Sequence, residues 1–330
     1  MKNILITGGL GYLGGRIADY LQRSEPGTTI TLGTRQPKER IPTWAKPYRL
    51  VPLDLLKPDS LPTALVEIDT LIHLAAVNEN ESFEAPEKAW QVNTLGTQLL
   101  LEQAAKKGVE RVIYFSTFHV YGPISGETIT EETVTRPVHP YAYTHRAAED
   151  IVTYFAHYKN MNTLILRLSN GVGYPMDEKI NRWSLIFNDL CRQAVSTQSL
   201  VLKSSGEQHR DFITLSDVGR AVHHFLTNIP GKWGDGLYNL GGERSMSILD
   251  AAKKVAEIFE RKTGKKIQNL RTENKIGNSQ LNPVHFSIKK LKQTGFRPEG
   301  NIDREIEQTL TLCENFLNKG QKRSPIPQQF

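Results

Sequence analysis

The segment Thr7-Gly8-Gly9-Leu10-Gly11-Tyr12-Leu13-Gly14 sits between a short apolar run, Asn3 to Thr7, and a helical pattern over Arg16 to Arg23 with Ile17, Tyr20 and Leu21 on one face. Its glycines fit G-x-x-G-x-x-G at 8, 11 and 14, and G-x-G-x-x-G at 9, 11 and 14. A strand, glycine loop and helix in this order need glycine because the backbone turns tightly, a pyrophosphate approaches it closely and helix packs on strand. The helix N-terminus then offers unpaired N–H groups and a positive dipole end to the phosphates. Gly8, Gly11, Tyr12, Leu13 and Gly14 are the expected phosphate contacts of a dinucleotide.

Short apolar runs recur at Thr29–Leu32, Tyr48–Leu53, Thr70–Leu74, Arg111–Ser116 and Leu164–Leu168, separated by helical patterns such as Val92–Lys107 and Tyr141–Tyr158. Such alternation predicts a parallel sheet covered on both faces, a doubly wound, Rossmann-type α/β fold. Helical patterns continue at Arg182–Ala194, Ser247–Lys262 and Ile302–Asn318. The expected division is a dinucleotide-binding domain over 1–168, its sheet completed by parts of 210–245, and a smaller, interleaved substrate-binding lobe over 169–330. Residues 321–330, with two Pro and two basic residues, read as a mobile tail.

Composition removes several classes. With 38% hydrophobic and 23% charged residues, the 330-residue chain is too apolar for disorder. No apolar run nears the ~20 residues that span a bilayer. Met1 leads straight into a strand-like segment, so no signal peptide is expected. Cys191 and Cys313 supply neither a disulfide framework nor a four-thiolate zinc site and read as buried thiols. No His, Cys or carboxylate grouping has metal-ligand spacing, so no metal is expected. A cytoplasmic protein with no membrane partner is the expectation. Residues 251–330 hold 16 basic and 8 acidic residues, but the two signs are interspersed, as on a solvated helical surface. Trp90, Trp183 and Trp233 are too scattered for a base-stacking platform, so no nucleic-acid partner is expected.

The second strand bears on the coenzyme. An NAD site usually ends this strand with an acid for the ribose hydroxyls. Here it ends Leu32-Gly33-Thr34-Arg35, and Arg35 is placed to meet a 2′-phosphate, which favours NADP(H) over NAD(H). Asp54 is placed either to hydrogen-bond the adenine amino group or to cap a helix.

Further segments follow in order: His73-Leu74-Ala75-Ala76, Val92-Asn93-Thr94-Leu95-Gly96-Thr97, Ser116-Thr117-Phe118-His119-Val120-Tyr121-Gly122 and Pro140-Tyr141. Then come Arg167-Leu168-Ser169-Asn170, Arg210-Asp211-Phe212-Ile213 and Asn239-Leu240-Gly241-Gly242. With the glycine loop, across about residues 2–315, these make the chain resemble the extended short-chain dehydrogenase/reductase family, the group of UDP-galactose 4-epimerase and other nucleotide-sugar enzymes. The resemblance implies that Tyr141 exchanges a proton with a sugar hydroxyl or ketone, that Thr117 hydrogen-bonds the same oxygen, and that a nicotinamide coenzyme gives or takes the hydride. It implies Asn93 in a supporting network of the coenzyme site, and Leu55, Leu74, Ala75 and Ala76 along the coenzyme. It places Asn170 and Arg210 on the nucleotide-sugar diphosphate, for which a guanidinium is well suited. It also implies a homodimer that pairs the helices at 93–107 and 141–158 with their counterparts.

Two departures from the family pattern matter. The frame Y-x-x-x-K-x-x-x-E is present from Tyr141 to Glu149, but His145 stands at the lysine. In the family that lysine holds the nicotinamide ribose and stabilises the tyrosinate, because a phenol with pKa ≈ 10 is a poor base near neutrality. A neutral histidine hydrogen-bonds a ribose but carries no fixed charge. The expectation is a protonated His145. The alternatives are Arg146 reaching in from a position turned ~100° away, or a site that binds coenzyme with weak or lost catalysis.

The second departure is Phe118-His119, where nucleotide-sugar 4,6-dehydratases of the family carry Asp-Glu. This argues against a standard 4,6-dehydratase. His119 is either an extra acid/base, for example in epimerisation beside a ketone, or a histidine packed beside the pocket. His73, His223 and His224 read as structural.

The chain therefore reads as an NAD(P)-dependent oxidoreductase or epimerase acting on a nucleotide-activated sugar at C4. Competing readings are a coenzyme-binding sensor or scaffold with little turnover, and a reductase of non-sugar carbonyls.

Overall fold

The computed structural model describes residues 3–321 except 124, 125, 127, 230 and 273–284. Among these, β1 (Asn3–Thr7), β2 (Thr29–Thr34), β3 (Arg49–Pro52), β4 (Thr70–His73), β5 (Arg111–Thr117), β6 (Asn162–Leu168) and β7 (Leu237–Leu240) form one parallel sheet. Its order is β3-β2-β1-β4-β5-β6-β7. The helices that matter for the site are α1 (Tyr12–Ser24), α2 (Gly96–Lys106), α3 (Pro140–Tyr158), α4 (Ile186–Thr197), α5 (Leu215–Thr227), α6 (Ile248–Thr263) and α7 (Ile302–Gln321). No helix among the described residues is long and apolar enough to cross a membrane.

Successive strand residues face opposite sides of a sheet, and here both sides are apolar. In β1, Ile4 and Ile6 enter one core and Leu5 the other; in β5, Ile113 and Phe115 oppose Val112 and Tyr114. Ile17 and Leu21 of α1 with Val218 and Phe225 of α5 cover the first side. Leu100 and Leu101 of α2 with Val152 and Phe155 of α3 cover the second. Strand order reverses between β1 and β4, and in open α/β sheets the crevice outside the strand C-termini at such a point is where ligands bind.

The remaining chain builds a third core. The strands Asn170–Val172, His209–Thr214 and Ser245–Ser247 form a small sheet, and Ser199–Leu202 pairs with Asn269–Thr272. With α4, α6 and α7 they enclose Phe187, Leu190, Phe212, Val255, Ile258 and Ile306. Two polar links join this body to the first helix after the glycine loop. Tyr12 donates its hydroxyl proton to the Gly173 carbonyl at 2.7 Å. Arg16 donates to both carboxylate oxygens of Glu305, at 3.0 and 2.7 Å, and both side chains are buried.

Three helices depart from the sequence pattern. α1 begins at Tyr12 rather than Arg16; Gly14 and Gly15 add no apolar side chain to the periodicity yet remain helical. The helix expected from Val92 opens with a π-helical turn, Trp90–Leu95, ahead of α2. The helix expected from Arg182 starts at Ile186, because Leu185 is extended and the Arg182 carbonyl accepts from Asn188 Nδ2 at 3.1 Å. The segment read as a mobile tail lies, beyond Gln321, outside the described residues.

Candidate active site

A cavity of about 940 Å³ opens at the C-terminal ends of β1 and β4. The glycine loop forms one wall. Gly8 has φ +64°, and a Cβ there would stand 3.1 Å from the Ala75 amide nitrogen; a Cβ on Gly14 would overlap the Gly8 carbonyl oxygen. The loop therefore excludes side chains. The first turn of α1 has no acidic residue and no side-chain cap, so its N–H groups lack intrahelical partners. Gly8, Gly11, Tyr12, Leu13 and Gly14 all line the cavity. This donor set, with bare backbone around it, fits a dinucleotide pyrophosphate.

Arg35 lies exposed just beyond β2 and lines the same cavity, as do Asp54, Leu55, Leu74, Ala75 and Ala76. Asp54 Oδ1 accepts from the Leu56 amide at 3.1 Å, so the carboxylate also closes a local turn. Asn93 does not line the cavity. It is buried behind the wall, where Oδ1 accepts from the Val77 amide at 2.7 Å and Nδ2 donates to Thr144 Oγ1 at 3.0 Å. Its contribution is to brace the chain after β4 against α3 rather than to touch a ligand.

His73 is structural, as its place in the strand suggested. Thr97 Oγ1 donates to the Asn93 carbonyl, so it accepts from His73 Nε2; Nδ1 then accepts from Thr7 Oγ1 at 2.7 Å. Burial pushes this imidazole down to about 3, so it stays neutral. His223 meets Glu25 at 2.9 Å and His224 meets Thr294 at 2.9 Å, both away from the cavity. Cys191 and Cys313 are buried thiols, and burial raises the pKa of both.

Tyr141 lies in the first turn of α3, with the Thr117 side chain near enough to its phenol to favour the ionised form. Both line the cavity. Burial raises the phenol pKa; the positive charge of Arg182 and the Thr117 hydrogen bond oppose that shift, and Glu79 adds to it. A buried network holds α3 in place. Arg167 on β6 donates to both oxygens of Glu149 on α3, at 2.9 and 2.7 Å, and Ser116 donates to Glu149 at 2.6 Å. Arg167 also donates to the Tyr121 hydroxyl, which donates to Asn239 Oδ1 at 2.6 Å.

His145 does not meet the expectation of a cation. Its Nδ1 is 2.9 Å from the Tyr141 carbonyl, an acceptor, so Nδ1 carries the proton and Nε2 keeps a lone pair. Burial, with minor help from His119 and His139, pushes its pKa down to about 4. Its ring packs on Tyr141 with centroids 4.3 Å apart. Arg146 does not replace the missing charge at the phenol: it donates to Asp150 at 2.6 Å and to Thr135 at 3.0 Å.

Asn170 and Arg210 both line the cavity, although Asn170 Nδ2 donates to the Asp211 carbonyl at 2.9 Å and so also ties the small sheet together. Arg182, Arg192 and Lys203 join Arg210 along this wall. Arg182 escaped notice in the sequence because it falls inside an apparently helical pattern; only the late start of α4 turns it to the cavity.

The structure also brings together what spacing hid. Glu79, His119 and His139 each place one ligand-type atom within 4.8 Å of the other two, although they come from three separate segments. Sequence spacing showed no metal-ligand pattern, and the three residues come close only through the fold. Glu79 and His139 carried no sequence signal, since each is an isolated polar residue until the fold joins them.

A model of the NAD dependent epimerase/dehydratase family matches residues 4–241. The chain is 26% identical over 351 residues to a Mus musculus dTDP-D-glucose 4,6-dehydratase, covering 99% of this chain and 94% of that protein. It is 25% identical over 317 residues to a putative UDP-glucose 4-epimerase of Methanocaldococcus jannaschii, covering 94% and 98%. A trifunctional Arabidopsis thaliana dehydratase–epimerase–reductase is matched over only 46% of its length. The fold resembles that of Thermus thermophilus UDP-glucose 4-epimerase in complex with NAD, with a TM-score of 0.78, 22% identity and coverage of 94% and 98%.

Proposed function

Because the chain belongs to the NAD dependent epimerase/dehydratase family, we propose that it is an NAD(P)-dependent oxidoreductase or epimerase moving a hydride at C4 of a nucleotide-activated sugar. The observation that carries this reading is Tyr141 beside Thr117 in one cavity with the glycine loop. Relatives named a 4,6-dehydratase and a putative 4-epimerase support chemistry at position 4.

The bound nicotinamide supplies the hydride acceptor and donor. The chain's own residues do the rest. Thr117 orients the substrate oxygen, and Tyr141 takes or returns its proton. His145 Nε2 accepts from a ribose hydroxyl. Arg182 favours the tyrosinate, and Arg210 meets the diphosphate. Phe118 offers no proton where a dehydratase needs one, which supports epimerase or ketoreductase chemistry over a standard 4,6-dehydratase. Arg35, with no acid at the end of β2, supports NADP(H) over NAD(H). In this reading residues 1–168 with β7 hold the coenzyme, and most of 169–330 holds the sugar.

Turnover of a nucleotide-sugar panel tests it. Tyr141→Phe should lower hydride transfer by about a hundredfold or more while coenzyme affinity is kept. Unchanged turnover in that variant overturns the mechanism. The neutral His145 favours a second reading, a coenzyme-binding protein with slow chemistry; wild type that binds NADP(H) yet turns over no nucleotide sugar would establish it.

A homodimer belongs to the same reading. Leu95, at the head of the first segment expected to pair, and Tyr143 and Tyr154 on α3 are exposed large side chains, and exposed Trp90 lies just ahead of the first. Sedimentation equilibrium that finds only monomer at all concentrations refutes this pairing.

A further inference from the structure

Three polar side chains beside Tyr141 have no part in the proton and hydride steps just described. Glu79 opens the short helix Glu79–Glu84 beyond β4, His119 lies in the turn after β5, and His139 is the N-cap of α3. Glu79 and His119 line the cavity, and His139 backs His119.

Their hydrogen bonds run in one direction. The Ala142 amide donates to His139 Nδ1 at 3.3 Å, so His139 carries its proton on Nε2. That nitrogen faces His119 Nδ1 at 3.4 Å, which makes Nδ1 the acceptor and leaves the His119 proton on Nε2. His119 Nε2 in turn lies 3.9 Å from Glu79 Oε2. The helix N-terminus thereby sets the tautomer of both imidazoles.

This geometry speaks against a metal cage. The two ring nitrogens of His119 face different partners, and the His139 nitrogen nearest to His119 is protonated, so the lone pairs do not converge on one point. It also differs from an ion pair. His119 is surrounded by Glu79, His139, Arg210 and Tyr141, and burial outweighs the carboxylate, pushing the imidazole down to about 4. The ring is therefore neutral near pH 7.

A gap of 3.9 Å is too long for a direct hydrogen bond. It does admit an oxygen placed off the line, at ~2.8 Å from each side and subtending roughly 90°. The two sides differ in kind: Nε2–H only donates and the carboxylate only accepts. A group that satisfies both at once is a hydroxyl, accepting from His119 and donating to Glu79. The spot lies close to the reacting phenol, since the His119 and Tyr141 ring centroids are 6.0 Å apart.

We propose that Glu79 and His119 bind a second hydroxyl of the same substrate, next to the one served by Tyr141, with His139 fixing the donor edge of His119. Glu79 and His119 are then specificity determinants, and His139 is a positioning residue. The proposal rests on the nucleotide-sugar reading above.

Two measurements on the full chain test it. The first needs no substrate: long-range ¹H–¹⁵N spectra of histidine-labelled protein at pH 7. His119 and His139 should both show the Nε2–H tautomer, and His139→Ala should turn His119 into a mixture. An Nδ1–H tautomer at His119, or stoichiometric perturbation of both rings by equimolar zinc, overturns the proposal, the latter in favour of a metal site.

The second compares kcat and KM for UDP-glucose and its monodeoxy analogues, with coenzyme saturating. Wild type should lose about tenfold to a hundredfold in kcat/KM on one analogue. Glu79→Leu and His119→Phe should abolish that preference with coenzyme affinity unchanged. Glu79→Gln and His119→Gln, which keep an acceptor and an N–H respectively, should restore part of it. Equal selectivity in Glu79→Leu and wild type overturns the proposal while leaving the reaction assignment standing. Failure of wild type to bind any member of the nucleotide-sugar panel, with the tautomers as stated, instead refutes the nucleotide-sugar reading and takes this occupant with it.

Discussion

The Nδ1 of His145 donates to the Tyr141 carbonyl across one turn of α3, at 2.9 Å, so the residue in the lysine position of the frame spends its proton on the helix backbone. Among the described residues, the Tyr141 phenol then has no fixed cation on its own helix face. Burial keeps Tyr141 above the ordinary phenol range, and the ring of His145 stays neutral.

His145→Lys should restore that cation. With an ammonium near the phenol, the rise in rate that reports loss of the Tyr141 proton moves to lower pH. Each unit of displacement gives about tenfold more tyrosinate at neutral pH. Initial rates of coenzyme reduction with UDP-glucose across pH check this; a limb that stays in place in His145→Lys rejects the role assigned to residue 145.

Arg35→Ser should weaken NADP(H) by about tenfold to a hundredfold, the scale of losing a charge-assisted contact, and leave NAD(H) affinity alone. Fluorescence titration of the two reduced coenzymes measures it. A wild type that prefers NAD(H) shows that Arg35 does not read the 2′-phosphate.

Glu149→Gln should destabilise the fold strongly. Arg167 and Glu149 are both buried, with side chains 5% and 3% exposed, and removing one charge strands the other. Breaking a buried pair in this way costs about 3–5 kcal/mol. The urea midpoint reports the loss, and replacing both residues with apolar side chains of similar size should recover part of it. A midpoint within error of wild type for Glu149→Gln contradicts the network.

Stability should fall on acidification below about pH 6.5. His73, His119 and His145 are held neutral when folded, with pKa values lowered to about 3, 4 and 4. The unfolded chain titrates them near 6.5, so between that value and the folded values it binds more protons than the native state. The stabilisation is complete above pH 6.5 and declines as pH drops towards 4. For His73, the most buried of the three, the loss is about 2 kcal/mol at pH 5. Urea unfolding at pH 7 and pH 5 measures it, and a smaller decline in a His73→Asn variant assigns it.

Much of the scaffold was readable because it follows from local pattern. The runs at Asn3–Thr7 and Arg111–Ser116 are apolar on both faces, as strands of a sheet covered on both sides are, and the glycine loop, set between a strand and a helix, marks one wall of the cavity. The chemistry beside Tyr141 was readable to the extent that it is written contiguously, from Tyr141 to Glu149. The state of His145 was not, because its charge depends on burial and on which nitrogen the helix carbonyl takes. Nor was the meeting of Glu79, His119 and His139, which only the packing of three separate segments creates. Arg182 was hidden for a third reason: two hydrogen bonds to its carbonyl delay a helix that the periodicity starts four residues earlier.

The pair formed by Arg16 and Glu305 spans 289 positions of the chain. It clasps the helix that begins at the glycine loop to the last described helix. Loss of this helix would therefore strand a guanidinium one turn below the glycine loop, so a segment near residue 305 is part of the foundation on which the first residues do their work.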